Sequence, residues 1–114
     1  MAVLKAANLG LKFLLELAAV AAFAYWGANR SPVALAVGLA IATPAVFIAA
    51  WGILAAPRSP RRLPTRTRVP FELCCFTLAV VALVATGATV AGIAFGLVAA
   101  VNAALLAAFG QLEA

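Results

Sequence analysis

The sequence predicts an all-α integral membrane protein of four transmembrane helices. Of its 114 residues, 68% are hydrophobic and 10% charged, and the mean hydropathy is +1.18. A soluble domain of this size needs a far more polar surface. Four apolar runs can be laid down, each near the roughly 20 residues that cross a ~30 Å hydrocarbon core. Five of the eight cations fall in one segment between two of those runs.

The first run covers 7–27, contains Lys12 and Glu16, and closes on Tyr25 and Trp26, residues suited to a lipid–water boundary. Lys5, the apolar stretch and Ala22-Phe23-Ala24 loosely imitate a signal peptide, but Glu16 interrupts it. The segment therefore reads as a mature helix. A polar turn at 28–31 leads to Pro32, which suits the first turn of the second run, 32–55. Pro44 removes one backbone hydrogen bond inside that run and should kink it, and Trp51 stands near its far end as an interface anchor. The loop 56–69 holds Pro57, Pro60 and Pro64 with Arg58, Arg61, Arg62, Arg66 and Arg68. Its prolines forbid a continuous helix and favour an extended path. The third run spans 70–86, Gly87-Ala88-Thr89 makes a tight turn, and the fourth run, 89–110, contains Asn102. The tail is polar.

Threading these helices up and down puts Lys5, Lys12 and the loop arginines on one side and Arg30 alone on the other. The positive-inside rule then places both termini and the Pro/Arg loop in the cytoplasm of a multi-pass bacterial plasma-membrane protein. The expected architecture is a single four-helix domain over 1–114, an up-down bundle built as a tandem repeat of two hairpins. Lys12-x-x-x-Glu16-Leu17 is echoed by Arg68-x-x-x-Glu72-Leu73, Gly38-Leu39 by Gly96-Leu97, and Trp51-Gly52 by Phe109-Gly110. Ala34/Gly38 and Gly92/Gly96 give both second helices small-xxx-small spacing, which lets backbones approach closely in lipid.

The net charge of +5 is explained by topology, so nucleic acid is not an expected partner. The adjacent Cys74-Cys75 pair has neither redox nor zinc spacing, and there is no histidine. The pair reads as small apolar side chains. No metal or cofactor motif is present.

Function is sought among the few polar groups of the apolar runs, because lipid offers them no partner. Glu16 lies about 13 Å into its run by helix rise, and counting places Asn102 and the carbonyl freed by Pro44 at similar depth. Glu72 is shallower, in the first turn of its helix. The expected site is one layer in the cytoplasmic half, with Glu16, Glu72 and Asn102 as the acid/base and assisting groups. Lys12, Tyr25, Trp26, Trp51 and Arg68 are candidate substrate-binding residues. The structural alternative for each is an ion pair such as Lys12–Glu16 on one helical face, a helix-end carboxylate at Glu72, interhelical glue at Asn102, and belt aromatics. In both pairs the cation precedes the acid, the weaker orientation for a helical pair.

The stretch Asn8-Leu9-x-Leu11-Lys12-Phe13-Leu14-Leu15-Glu16-Leu17 precedes Tyr25-Trp26-Gly27 and Trp51-Gly52-x-x-x-Ala56-Pro57. With Arg68-x-x-x-Glu72-Leu73 and Asn102, this pattern resembles the YrdB-like family of small four-helix bacterial membrane proteins of unknown function. That resemblance implies a membrane location and no activity. Lys12 stands where arginine is expected in such proteins, which keeps the charge but loses the bidentate fork.

Three functional expectations follow. The first is a site that binds a lipophilic, isoprenoid-like molecule and offers it acid/base chemistry: isomerisation, cyclisation or epoxide opening. The second is an accessory subunit packing on a partner through Gly92-x-x-x-Gly96. The third is a proton-coupled transporter, which would need a homo-oligomer. The lipid bilayer is the expected environment, and the loop arginines offer contacts to anionic lipid headgroups.

Overall fold

The computed structural model describes residues 2–56 and 58–112. Pro57 of the loop and Glu113 and Ala114 of the tail lie outside the described residues. Four helices follow in order: α1 (Ala2–Ala28), α2 (Val33–Leu54), α3 (Thr65–Ala85) and α4 (Thr89–Ala108). All four are long and apolar enough to cross a membrane. There is no β-structure among the described residues, and the helices satisfy most of their own backbone, as hydrocarbon would require, with one amide donor missing at Pro44 in α2 and at Pro70 in α3.

The ends of α1, α3 and α4 have identifiable causes. At the end of α1, Asn29 Nδ2 donates to the Tyr25 carbonyl at 2.7 Å and Arg30 Nε to the Trp26 carbonyl at 3.2 Å. The Arg30 guanidinium also lies 4.9 Å from the Trp26 ring centre, so a cation covers the negative end of the helix. Helices α3 and α4 both end on a left-handed glycine, Gly87 at φ 86° and Gly110 at φ 67°. Beyond them, Ala88 N donates to Leu83 O and Gln111 N to Leu106 O.

Helix α3 begins at Thr65, five residues before the expected start. Pro64 opens it in an extended conformation, and Pro70 sits inside it. Arg68 anchors this first stretch by donating from Nη1 to the Leu63 carbonyl at 3.3 Å and from Nη2 to Thr65 Oγ1 at 3.5 Å. The Pro/Arg loop is also less extended than its prolines suggest. Leu63 N donates to Leu54 O at 2.8 Å and Arg62 Nε to Ala55 O at 3.1 Å, folding the loop back over the end of α2.

Helix α1 is the hub. It packs on all three others, α3 packs on α4, and α2 flanks α1. The body is flattened, 49 × 33 × 21 Å. Leu15, Ala19 and Ala22 of α1 meet Phe47, Cys75, Phe76, Ala79, Phe95 and Ala99 in the core. A ladder of rings runs Phe23–Phe47–Trp51–Phe76–Phe95, with centres 5.2 to 5.8 Å apart, and ties α2 to α3 through Trp51. Its tilted and edge-on geometries are those that aromatic quadrupoles favour.

The small residues serve different ends in the two hairpins. Gly92 and Gly96 face Val80, Leu83 and Val84 of α3, so that motif is used inside the chain. Gly38 and Gly52 face open space. The close approach in the first hairpin is made instead by Gly27, where an added Cβ would stand 2.6 Å from Ala40 N, against α2 backbone that cannot rotate away. We expect Gly27→Ala to lower stability by about 1–3 kcal/mol through overpacking, and Gly38→Ala to cause no loss. Unfolding of detergent-solubilised protein, followed by circular dichroism, measures both.

Candidate functional site

The polar side chains of the apolar helices sort into two groups. The first is a closed network at the end of the bundle where α1 begins. Glu72 is 6% exposed and receives two cations: Lys12 Nζ at 2.9 Å from α1, and Arg68 Nε at 3.2 Å from one turn earlier in α3. Arg68, 2% exposed, also donates to the Leu112 carbonyl through Nη2. One guanidinium thus holds the loop, the chain after α4 and the acid together, using its fixed fork of donors.

Asn102 anchors a second, neighbouring set of bonds. Its Nδ2 donates to Asn8 Oδ1 at 2.8 Å and to the Asn8 carbonyl at 2.9 Å. Asn8 Nδ2 donates to Gln111 Oε1 at 3.2 Å, and Gln111 Nε2 to the Lys5 carbonyl at 3.0 Å. A cavity of about 30 Å³ lies between Lys12, Glu72 and Asn102, the size of one water molecule. Every buried polar atom here has a partner, as low-dielectric surroundings demand.

The second group is Glu16 with an open groove. Glu16 is half-buried and makes no hydrogen bond or ion pair among the described residues. It lines a recess of about 380 Å³ with Leu9, Lys12, Phe13, Trp51 and Ala55. A second recess of about 210 Å³, with Leu17, Val20, Phe47 and Ile48, shares Phe13, Glu16 and Trp51 with the first. The two form one groove along α1 and α2, polar at one end and apolar beyond, within the usual size of small-molecule sites. A further recess of about 490 Å³, lined by Phe23, Thr43, Phe47, Cys75 and Leu78, carries no charged group.

The single layer expected from counting depth is therefore not what the chain builds. Asn102 lies at the level of Asn8 and Glu72 at that of Lys12, while Glu16 stands one turn further along α1. Pro44 is deeper still, because the adjacent Thr43 hydroxyl lies 2.9 Å from the Phe23 carbonyl. Depth counting fails because α1 starts at Ala2 and α3 at Thr65, which displaces both reference points. Glu72 is likewise no helix-end carboxylate: it is the eighth residue of α3 and buried. Lys12 pairs with Glu72 across the α1/α3 contact rather than with Glu16 on its own helix, whereas Arg68 does pair with Glu72 in the same cation-first spacing.

Of the expected binding residues, Lys12 and Trp51 line the groove with Glu16. Arg68 is inside the network, and Tyr25 and Trp26 stand at the other end of α1, where Trp26 is engaged by Arg30. Asn8 and Gln111 escaped the sequence reading as site residues. Asn8, Lys12 and Glu16 recur at intervals of four, which places three polar groups on one face of α1, and that periodicity was the available signal.

These features define a small all-α protein with four potential membrane spans, an internal ion network and an acid-bearing groove. The chain belongs to the family described as Protein of unknown function (DUF2568), whose model matches residues 10–100. No curated protein and no solved structure matches it.

The two acids should separate in stability measurements. Glu72→Ala leaves two buried cations short of their anion and should cost about 3–5 kcal/mol. Asn102→Ala strips Asn8 of its donor and should cost about 1–3 kcal/mol. Glu16→Gln, at a site with no partner, should change stability by less than about 0.5 kcal/mol. Denaturant unfolding in micelles compares all three.

Proposed function

We propose that this is a multi-pass membrane protein that binds a lipophilic, isoprenoid-like molecule in the α1/α2 groove, with Glu16 at its polar end. The observation that carries this reading is the contrast between the acids. Glu72 is fully bonded, whereas Glu16 is held unpaired beside an indole in a groove that continues into apolar wall. An intramembrane carboxylate without a structural partner is a functional group by default. Glu72, itself held by Arg68, acts at one remove by holding Lys12 at the groove's edge, and Asn102 ties α4 to α1 at Asn8. A bound molecule whose reacting atom stands at Glu16 would find a proton donor or acceptor there, suited to isomerisation, cyclisation or epoxide opening.

The same reading extends to placement. Lys5, Arg58, Arg61 and Arg66 are exposed at the end where α1 begins, and the positive-inside rule assigns that end to the cytoplasm of a bacterial plasma membrane. There, Arg58, Arg61 and Arg66 are free to meet anionic headgroups. The paired motifs at Lys12/Glu16 and Arg68/Glu72 support descent from a duplicated hairpin. They also support kinship with the YrdB-like proteins.

Two experiments test this. Protein purified in mild detergent should release a lipophilic molecule on solvent extraction, and Glu16→Gln should reduce its occupancy at least tenfold without lowering the melting temperature. Equal occupancy in the variant would remove Glu16 from the site. For topology, Ser59→Cys in a Cys74→Ala/Cys75→Ala background should react with an impermeant thiol reagent only from the cytoplasmic side.

A further inference from the structure

The ion set and the amide set share no direct bond, but they meet at one place. Lys12 and Glu72 of the first and Asn102 of the second all line the cavity of about 30 Å³. The rest of its wall is apolar side chain, Phe76 from α3 and Ala99, Ala103 and Leu106 from α4 among them.

Asn102 has an oxygen to spare there. Its Nδ2 donates to the Oδ1 and the main-chain carbonyl of Asn8. A main-chain carbonyl can only accept, so the amide cannot be turned over. The Asn102 Oδ1 accepts from no donor of the described residues. Every fully enclosed side-chain nitrogen or oxygen is bonded, so this oxygen must border open space. Asn102 is 2% exposed, and the space it borders is the cavity. Lys12 brings donors to the same place: its ammonium carries three, and the bond to Glu72 uses one.

An occupant must therefore donate to Asn102 Oδ1 and accept from Lys12 Nζ. A chloride ion cannot donate, and a metal ion or an ammonium cannot accept. Water does both, the cavity has room for one, and its second hydrogen is free for a Glu72 oxygen. That makes the three bonds typical of an internal water. We propose that one water molecule is bound here as a fixed part of the structure, bridging Lys12, Glu72 and Asn102. The bridge turns two sets of bonds into one unit spanning α1, α3 and α4. It also gives the Lys12 ammonium, which lines the Glu16 recess as well, a second fixed partner.

The test is magnetisation transfer from water to methyl groups, by the nuclear Overhauser effect, on the full chain in deuterated detergent. Ala99 and Leu106 line the cavity and are 6% exposed, while Ala19 and Ala79 are 0% exposed in the apolar core. Methyl protons do not exchange with solvent, so a cross-peak at the water frequency reports a water beside the methyl. Ala99 and Leu106 should show it, and Ala19 and Ala79 should not. Silence at both Ala99 and Leu106 would overturn the proposal. A second comparison reads the polarity of the site. Ala103→Val and Ala103→Thr add side chains of the same shape to the cavity wall, so overpacking cancels between them, but only the second adds a hydroxyl. Ala103→Thr should melt several degrees above Ala103→Val. The reverse order, or equal melting, would mean that the cavity asks for no hydrogen bond, and the bridging water would be excluded.

Discussion

Everything at the polar end of this bundle depends on Glu72 being shared by two cations. Taking ions out of water costs several kcal/mol each, and attraction between them compensates only when the remaining donors are also bonded. Here they are. Arg68 spends its other donors on carbonyls before and after the helical core, and Lys12 arrives from a different helix. The arrangement fixes the register of α1 against α3, since a slip by one residue would turn Lys12 away from its acid. It also explains how α3 can run through Pro70: the stretch before the proline is anchored by its own arginine and not by helix propensity alone.

The second acid shows what the network does not consume. Two carboxylates preceded by the same cation spacing look like one device repeated, but their surroundings make them different groups. One is enclosed and bonded on both oxygens. The other faces a groove beside Trp51 with no protein partner. Lys12 belongs to both places, bonded to Glu72 and lining the recess of Glu16. The network therefore sets the electrostatic conditions of the groove without entering it.

Much of this architecture was legible from residues alone. Four apolar runs fixed four helices, and α2 and α4 were located to within two residues at each end because glycine, proline and aromatic residues punctuate them. The start of α3 was hidden, since Thr65 to Val69 is polar and precedes a proline, and only the tertiary bonds of Arg68 make it helical. The site was half legible. That Glu16, Glu72, Lys12 and Asn102 are the polar groups of interest followed from their scarcity. Which acid is bonded could not follow, because that depends on which helices flank α1, and sequence periodicity says nothing of neighbours. The body proved to be a core of α1, α3 and α4 with α2 at its side, and this placement leaves the groove open beside Glu16.

The amide bonds at the polar end join segments that are far apart in sequence. Asn8 meets Asn102 and Gln111, and the Lys5 carbonyl meets Gln111, across separations of 94 to 106 residues. A ribosome delivers Asn8 and Lys12 well before Glu72, Asn102 and Gln111. During synthesis the Lys12 ammonium must therefore wait for Glu72 of α3, and the Asn8 amide for Asn102 of α4. The first hairpin has its own tight seam at Gly27 and can pack early, whereas the ionic centre needs α3 and the amide bonds need α4. A chain cut short before Asn102 would keep the ion set of Lys12, Glu72 and Arg68 but lose the amide bonds that tie α4 to α1.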